Sequence, residues 1–215
     1  MKNGVTRTLY TYWDELRGFR PSPDRSDIDP GQIRALLGDT FILESSSARD
    51  VRYRLAGTRL CSAHCRELKG RKFLRGWNEK DREALESLIT AVTEDAGVAV
   101  IGVCGHTEHD QKLPMEMLLL PLNVPGEGRV RVLGCCSPMT RPYWMGLHPL
   151  LKQSITSLRL IWPDERPHHL RSDTVVSPVV PRKKSEDVAT PSSSHMPPCP
   201  VRQVGHLTVY AGGKA

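Results

Sequence analysis

The chain predicts an α+β fold built on a five-stranded antiparallel sheet with helices on one face, and three observations lead there. Residues 51–55 alternate apolar and polar side chains, as a strand with one wet face does. Three more apolar segments, 98–106, 113–122 and 129–137, follow one another with polar or Gly-rich turns between them, such as Pro125-Gly126-Glu127-Gly128. Helical periodicity is confined to the stretches before and between these strands, so strands run consecutively instead of alternating with helices.

Each element has a local reason. Leu9, Tyr12, Trp13 and Leu16 fall at i, i+3, i+4 and i+7, which gives an amphipathic helix closed by Gly18. After a Pro-rich loop, Asp29 stands as N-cap and Pro30 as first helical residue of a second helix. Ile33, Leu36 and Leu37 line its face and Gly38 ends it. Thr40-Phe41-Ile42-Leu43-Glu44 reads as a short strand. In the next strand Val51, Tyr53 and Leu55 point inward while Arg52 and Arg54 face water. Residues 58–70 suggest short helical turns. Asn78 caps a longer helix with Asp81 at N3, buried through Leu85, Leu88, Ile89 and Val92, and Gly97 stops it. Residues 150–162 fit a helix through Leu150, Leu151, Ser154, Ile155 and Leu158, and a strand through Leu158, Leu160 and Trp162.

Composition bounds the class. The 215 residues suffice for one domain with a sizeable core, and 39% hydrophobic with 25% charged residues is ordinary for a globular protein with a polar appendage. Residues 1–164 and 165–215 each carry +3 of the net +6, so no basic stripe marks a nucleic-acid surface. No apolar stretch approaches the ~20 residues of a spanning helix, and Met1-Lys2-Asn3-Gly4 leads into polar sequence, so the expected address is the cytoplasm with no membrane insertion. Six scattered cysteines are then expected to be reduced. Eight of 17 prolines lie from Pro163 onward, with Arg182-Lys183-Lys184 and Ser192-Ser193-Ser194. The organisation is therefore an N-terminal helix in 1–20, a domain over 21–162 and a disordered basic tail over 163–215. In that tail Leu207, Val209 and Tyr210 form an apolar island, either a frayed end or a strand that docks on a partner's sheet edge.

The order of short boxes adds a family. Tyr12-Trp13-Asp14-Glu15-Leu16-Arg17 comes first, then Pro23, Arg25 and Asp27-Ile28-Asp29-Pro30, then Leu36-Leu37 and Tyr53-Arg54-Leu55-Ala56-Gly57-Thr58. Leu68-x-Gly70 and Pro121-Leu122 complete the series. This arrangement resembles bacterial, alphaproteobacterial single-PAS-domain regulatory proteins, over roughly residues 8–140. The resemblance implies a PAS-like sheet and a sensor or adaptor in signal transduction. It implies action through protein partners, without an attached kinase or cyclase. The cysteines of the middle region are not part of the family pattern.

Chemistry-bearing candidates are few. A PAS-type pocket between sheet and helices would be lined by Phe41 or Ile42, Tyr53, Leu55, Leu74, Trp77, Met117 and Val132, and the same residues could instead form a closed core. Leu9, Tyr12, Trp13 and Leu16 either make an aromatic-rich homodimer interface or cover their own sheet. Cys61, His64 and Cys65 share one helical face and supply thiolate and imidazole for zinc or haem; the competing reading has buried cysteines and a surface histidine. Cys135 and Cys136, adjacent on a strand, point to opposite sides of the sheet, one to the core and one to the outer face. No phosphate-binding, dinucleotide-binding, zinc-protease or nucleophile-elbow motif occurs, so the expectation is no enzyme and no required cofactor, with haem, flavin or metal left open. The alternative to a sensory or adaptor module is a haem- or metal-binding redox sensor using Cys61, His64 and Cys65.

Overall fold

In the computed structural model, residues 1–164 are described, together with two short strands near the C-terminus, Arg202–Val204 and Leu207–Val209. A helix, α1 (Gly4–Arg17), precedes strands β1 (Thr40–Ser47) and β2 (Asp50–Ala56). Helix α2 (Thr58–Ala63), a 3-10 turn (Phe73–Gly76) and helix α3 (Glu79–Thr93) follow. Four strands complete the sheet: β3 (Val98–His106), β4 (Lys112–Val124), β5 (Gly128–Pro138) and β6 (Lys152–Ile161). All pairings are antiparallel, in the order β2-β1-β5-β4-β3-β6.

The sheet thus has six strands, not five. The ambiguous stretch near the end is a strand because β3 has a second edge to fill, and residues from Lys152 to Ile161 pair along it. Helices also lie on both faces. α2, α3 and the 3-10 turn cover the inner face, where Phe41, Leu43, Tyr53, Ile89, Met117 and Val132 are buried. α1 covers the outer face, packing Leu9, Tyr10 and Trp13 against Ile42, Leu118, Leu120 and Leu133. Burial on both sides explains why β4 is apolar without a break over residues 117–122, as strands covered on both faces are.

Outer-face packing is directed by polar contacts. Trp13 is 1% exposed, and its indole N–H donates to Pro121 O at 2.9 Å. Pro121 is tolerated in a central strand because the β3 ladder ends at Leu119, so its missing N–H faces no partner there. Glu116, buried in β4 beside this apolar run, accepts from the backbone N–H groups of Lys2 and Asn3 and from the Thr6 hydroxyl. Burial opposes its charge, but these hydrogen bonds outweigh that effect and hold its carboxyl below the usual range. A carboxylate at the helix N-terminus also complements the α1 dipole.

The expected second helix does not form. Residues 29–39 follow successive i→i+3 turns, Gln32 N–H to Asp29 O, Leu36 N–H to Ile33 O and Asp39 N–H to Leu36 O. The Asp29 carboxylate bonds Gly31 N–H within its own turn instead of capping a helix. The carbonyls of Ala35 and Gly38 are taken by α2, through the Arg59 side chain and the N–H groups of Arg59 and Leu60. In the C-terminal unit, Leu207–Val209 pairs antiparallel with Arg202–Val204, so two residues of the apolar island have a strand partner in their own chain. Beyond Asp164 the rest of the expected tail, Tyr210 included, lies outside the described residues.

Candidate functional site

Six of the eight expected pocket residues meet on the inner face: Phe41, Tyr53, Leu74, Trp77, Met117 and Val132. They are buried together, and Phe41, Tyr53 and Trp77 join Phe73 in an aromatic cluster. Phe41 and Tyr53 stand edge to face at 5.7 Å, Tyr53 and Phe73 at 5.6 Å, and Phe73 and Trp77 are 5.9 Å apart. Ile42 belongs to the outer cluster, and Leu55 is 47% exposed. The reason is a bulge: Leu43 pairs with Tyr53 and Ile42 with Leu55, so Arg54 is the extra residue that turns Leu55 away from the core.

Of the expected pocket residues, Tyr53 also lines a cavity. A cavity of about 180 Å³ lies beside the aromatic core, between the α2 segment, the 3-10 turn and the start of β6. Its apolar walls are Tyr53, Leu68, Phe73 and Leu150, and its polar wall is His64 and Gln153. Arg66, Arg71, Lys72 and Arg75 surround it, all exposed, and no carboxylate borders it. Tyr53 keeps its proton, because burial first, and the neighbouring Cys136 and Cys61 second, oppose a phenolate.

Sequence reasoning missed most of this site. Residues 66–75 hold five basic side chains against one acid, a local concentration hidden by the even charge of the two halves of the chain. Gln153 carried no signal. It arrives from 89 residues beyond His64 through β6 pairing, and its backbone is anchored by Asn78 N–H donating to Gln153 O at 2.9 Å. Asp81, expected to serve the N-terminus of its own helix, instead accepts Ile155 N–H at 2.9 Å, which ties α3 to β6. Asn78 occupies the N-cap position without a side-chain cap bond.

His64 is buried, not a surface residue, and both ring nitrogens are engaged. Nδ1 lies 3.0 Å from Leu60 O and Nε2 lies 2.8 Å from Gln153 Nε2. A carbonyl only accepts, so Nδ1 carries the proton and Nε2 accepts from the Gln153 amide. Burial favours this neutral ring and pushes its pKa down, with nearby Arg66 adding to the effect and the Leu60 bond opposing it. Cys65 follows α2 in a left-handed conformation, φ 48°, and is exposed, while Cys61 is half-buried with its thiol pKa raised by burial. Among the described residues, no group of three His, Cys, Asp or Glu side chains could hold a metal ion, so the structure does not favour a redox centre at Cys61, His64 and Cys65.

Cys135 and Cys136 do point to opposite faces, Cys135 into the outer cluster and Cys136 into the inner. Both are buried because both faces are covered. Burial raises the Cys135 thiol and pushes Cys136 up to about 12, which leaves neither a ready thiolate. The proposed interface residues Leu9 and Trp13 are buried in their own chain, and Tyr12 and Leu16 are half-buried. The Tyr12 hydroxyl bridges Asp29, accepting its N–H at 2.8 Å and donating to its carbonyl at 3.3 Å.

A pH effect follows from His64. With its pKa lowered in the folded state, the unfolded chain binds the proton first, so stability falls as pH drops below about 6.5 and levels off under the folded value. Urea melts between pH 5 and 8, about the range in which histidine titrates, should show this slope, and His64→Gln should flatten it. An unchanged slope in a folded variant would place the proton uptake elsewhere.

A six-stranded antiparallel sheet with helices packed on both faces and a small cavity beside the inner one defines an α+β domain. The family model described as "PAS domain" matches residues 1–137, and the chain belongs to that family. The PAS domain of an HTR-like protein from Haloarcula marismortui is similar at 17% identity, over 51% of this chain and 90% of that one, with a TM-score of 0.38. A light-oxygen-voltage domain, from work with a flavin analogue, matches at 17% identity, over 53% of this chain and 85% of that one, with a TM-score of 0.39. No curated protein matches the chain. Among the described residues, no helix is long and apolar enough to cross a membrane.

Proposed function

We propose that this protein is a non-enzymatic sensory or adaptor module of cytoplasmic signalling, in which a ligand or a protein partner shifts its conformation or its association as a homodimer. Membership of the PAS family over residues 1–137 carries the reading. The cavity against the helical face of the sheet supports the ligand half, since a sensor needs space that its core does not fill. A homodimer would use surfaces other than Leu9 and Trp13, which α1 spends on its own sheet.

Native mass spectrometry of the full chain, with an absorption spectrum and light scattering, tests the reading. The expected mass is that of two chains, with a small-molecule increment if ligand survives purification. A Soret or flavin band would identify that ligand as a chromophore. A monomer at every concentration, holding nothing and turning over a substrate, would overturn the proposal.

A further inference from the structure

We propose that the cavity between α2 and β6 binds a small organic anion whose uncharged end carries a hydrogen-bond donor. This deepens the sensory reading and rests on it. The donor requirement comes from Gln153, which is 4% exposed and lines the cavity. Leu60 O fixes the His64 tautomer, the tautomer fixes the Gln153 amide as donor to His64 Nε2, and the amide is thereby oriented. Its other atom, Oε1, is buried and has no partner among the described residues. Buried carbonyls are nearly always paired in folded proteins, so an oriented, unpaired one on a residue that lines the cavity asks for an N–H or O–H.

The anion requirement comes from the rim. Arg66 spends one N–H on His64 O and Arg71 one on Glu67 O, leaving the rest of each guanidinium for a ligand. Lys72 reaches Asp50 only at 3.7 Å, and Arg75 has no ion-pair partner among the described residues. Four cations around a mouth with no carboxylate on its walls focus positive potential there. Size sets the body of the ligand. The volume, about 180 Å³, compares with the ~150 Å³ that admits benzene, so the apolar walls accept a single ring. The anionic group, carboxylate or phosphate, then stays at the arginine rim, where bidentate recognition is available.

The test uses the full chain and four probes: 4-hydroxybenzoate, 4-hydroxyphenyl phosphate, 4-methylbenzoate and 4-hydroxybenzyl alcohol. Binding is followed by calorimetry and by the NMR resonance of the Gln153 side-chain amide. The first two probes should bind and move that resonance, and their ranking tells carboxylate from phosphate. Loss of the hydroxyl or of the charge should weaken binding at least about tenfold, the scale of one lost hydrogen bond to an oriented site. Arg71→Glu with Arg75→Glu, both exposed in the wild type, should weaken both anions by at least as much while leaving the melting temperature unchanged. Equal affinity for the neutral alcohol, binding indifferent to charge reversal, an unmoved Gln153 resonance, or no binding of either anion to about 10 mM would each overturn the assignment. A dimer, or a bound neutral ligand, seen in the native masses would leave the sensory reading standing after such a failure.

Discussion

Trp13→Ala is expected to lower the free energy of unfolding by about 3–5 kcal/mol, the range for truncating a large buried aromatic. Trp13 lies at the centre of the outer-face cluster, with Tyr10 at 6.0 Å and the Arg17 guanidinium 5.3 Å from its ring. Truncation would also leave the Pro121 carbonyl without its donor. Set against a typical total of about 5–15 kcal/mol, the loss is large. Urea melts of the variant measure it. A fall in oligomeric mass with unaltered stability would instead mean that α1 serves an interface between chains, as an aromatic face on a leading helix first suggests.

Gly57→Ala is expected to be at least as damaging, about 4 kcal/mol or more, or to prevent folding. A Cβ at this position would lie 2.1 Å from Leu37 O and 2.4 Å from Gly38 O. These are backbone atoms, and the two segments are held together by Gly57 N–H to Thr40 O at 2.7 Å and by the α2 N–H groups on Gly38 O. That contact satisfies orphan donors of the first α2 turn. It also aligns Arg59 with the buried Asp39 carboxylate at 2.7 Å. The check is the soluble yield and, where protein is recovered, its urea midpoint. A cost under about 1 kcal/mol would show that residues 37–38 can retreat from α2.

These two residues show what the short boxes of the sequence encode. Trp13 meets Pro121, Tyr12 meets Asp29, and Gly57 meets Leu37 and Gly38, so the landmarks of one segment hold those of another. The elements with clean periodicity, α1, α3 and the strands β2 to β5, were legible because each depends on its own face pattern. What stayed hidden depended on distant partners. Residues 113–122 read as a strand, but the reason their stretch at 117–122 is apolar on both sides, α1 lying on the outer face, could not be read from it. A single bulge at Arg54 reversed Leu55, and alternation has no means of announcing an inserted residue. The helix expected at 30–37 gives way to successive i→i+3 turns, and its end is tied by the Ala35 and Gly38 carbonyls to α2, a tertiary contact that local capping could not announce. At the site, His64 was visible as a chemical type but not as a neutral ring clamped from both sides. Gln153 was invisible, since its importance comes wholly from where β6 sets it down.

Strand β6 also bears on where this domain can be cut. The family match stops at residue 137, yet β3 pairs with β6 from Val98–Ile161 to His106–Lys152. A fragment trimmed to the matched region would strip β3 of that neighbour and bare a nine-residue apolar ladder, the kind of edge that recruits other chains into aggregates. It would also remove Leu150 and Gln153 from the cavity wall. A preparation that keeps the chain through Ile161 retains both the closed edge and the complete cavity.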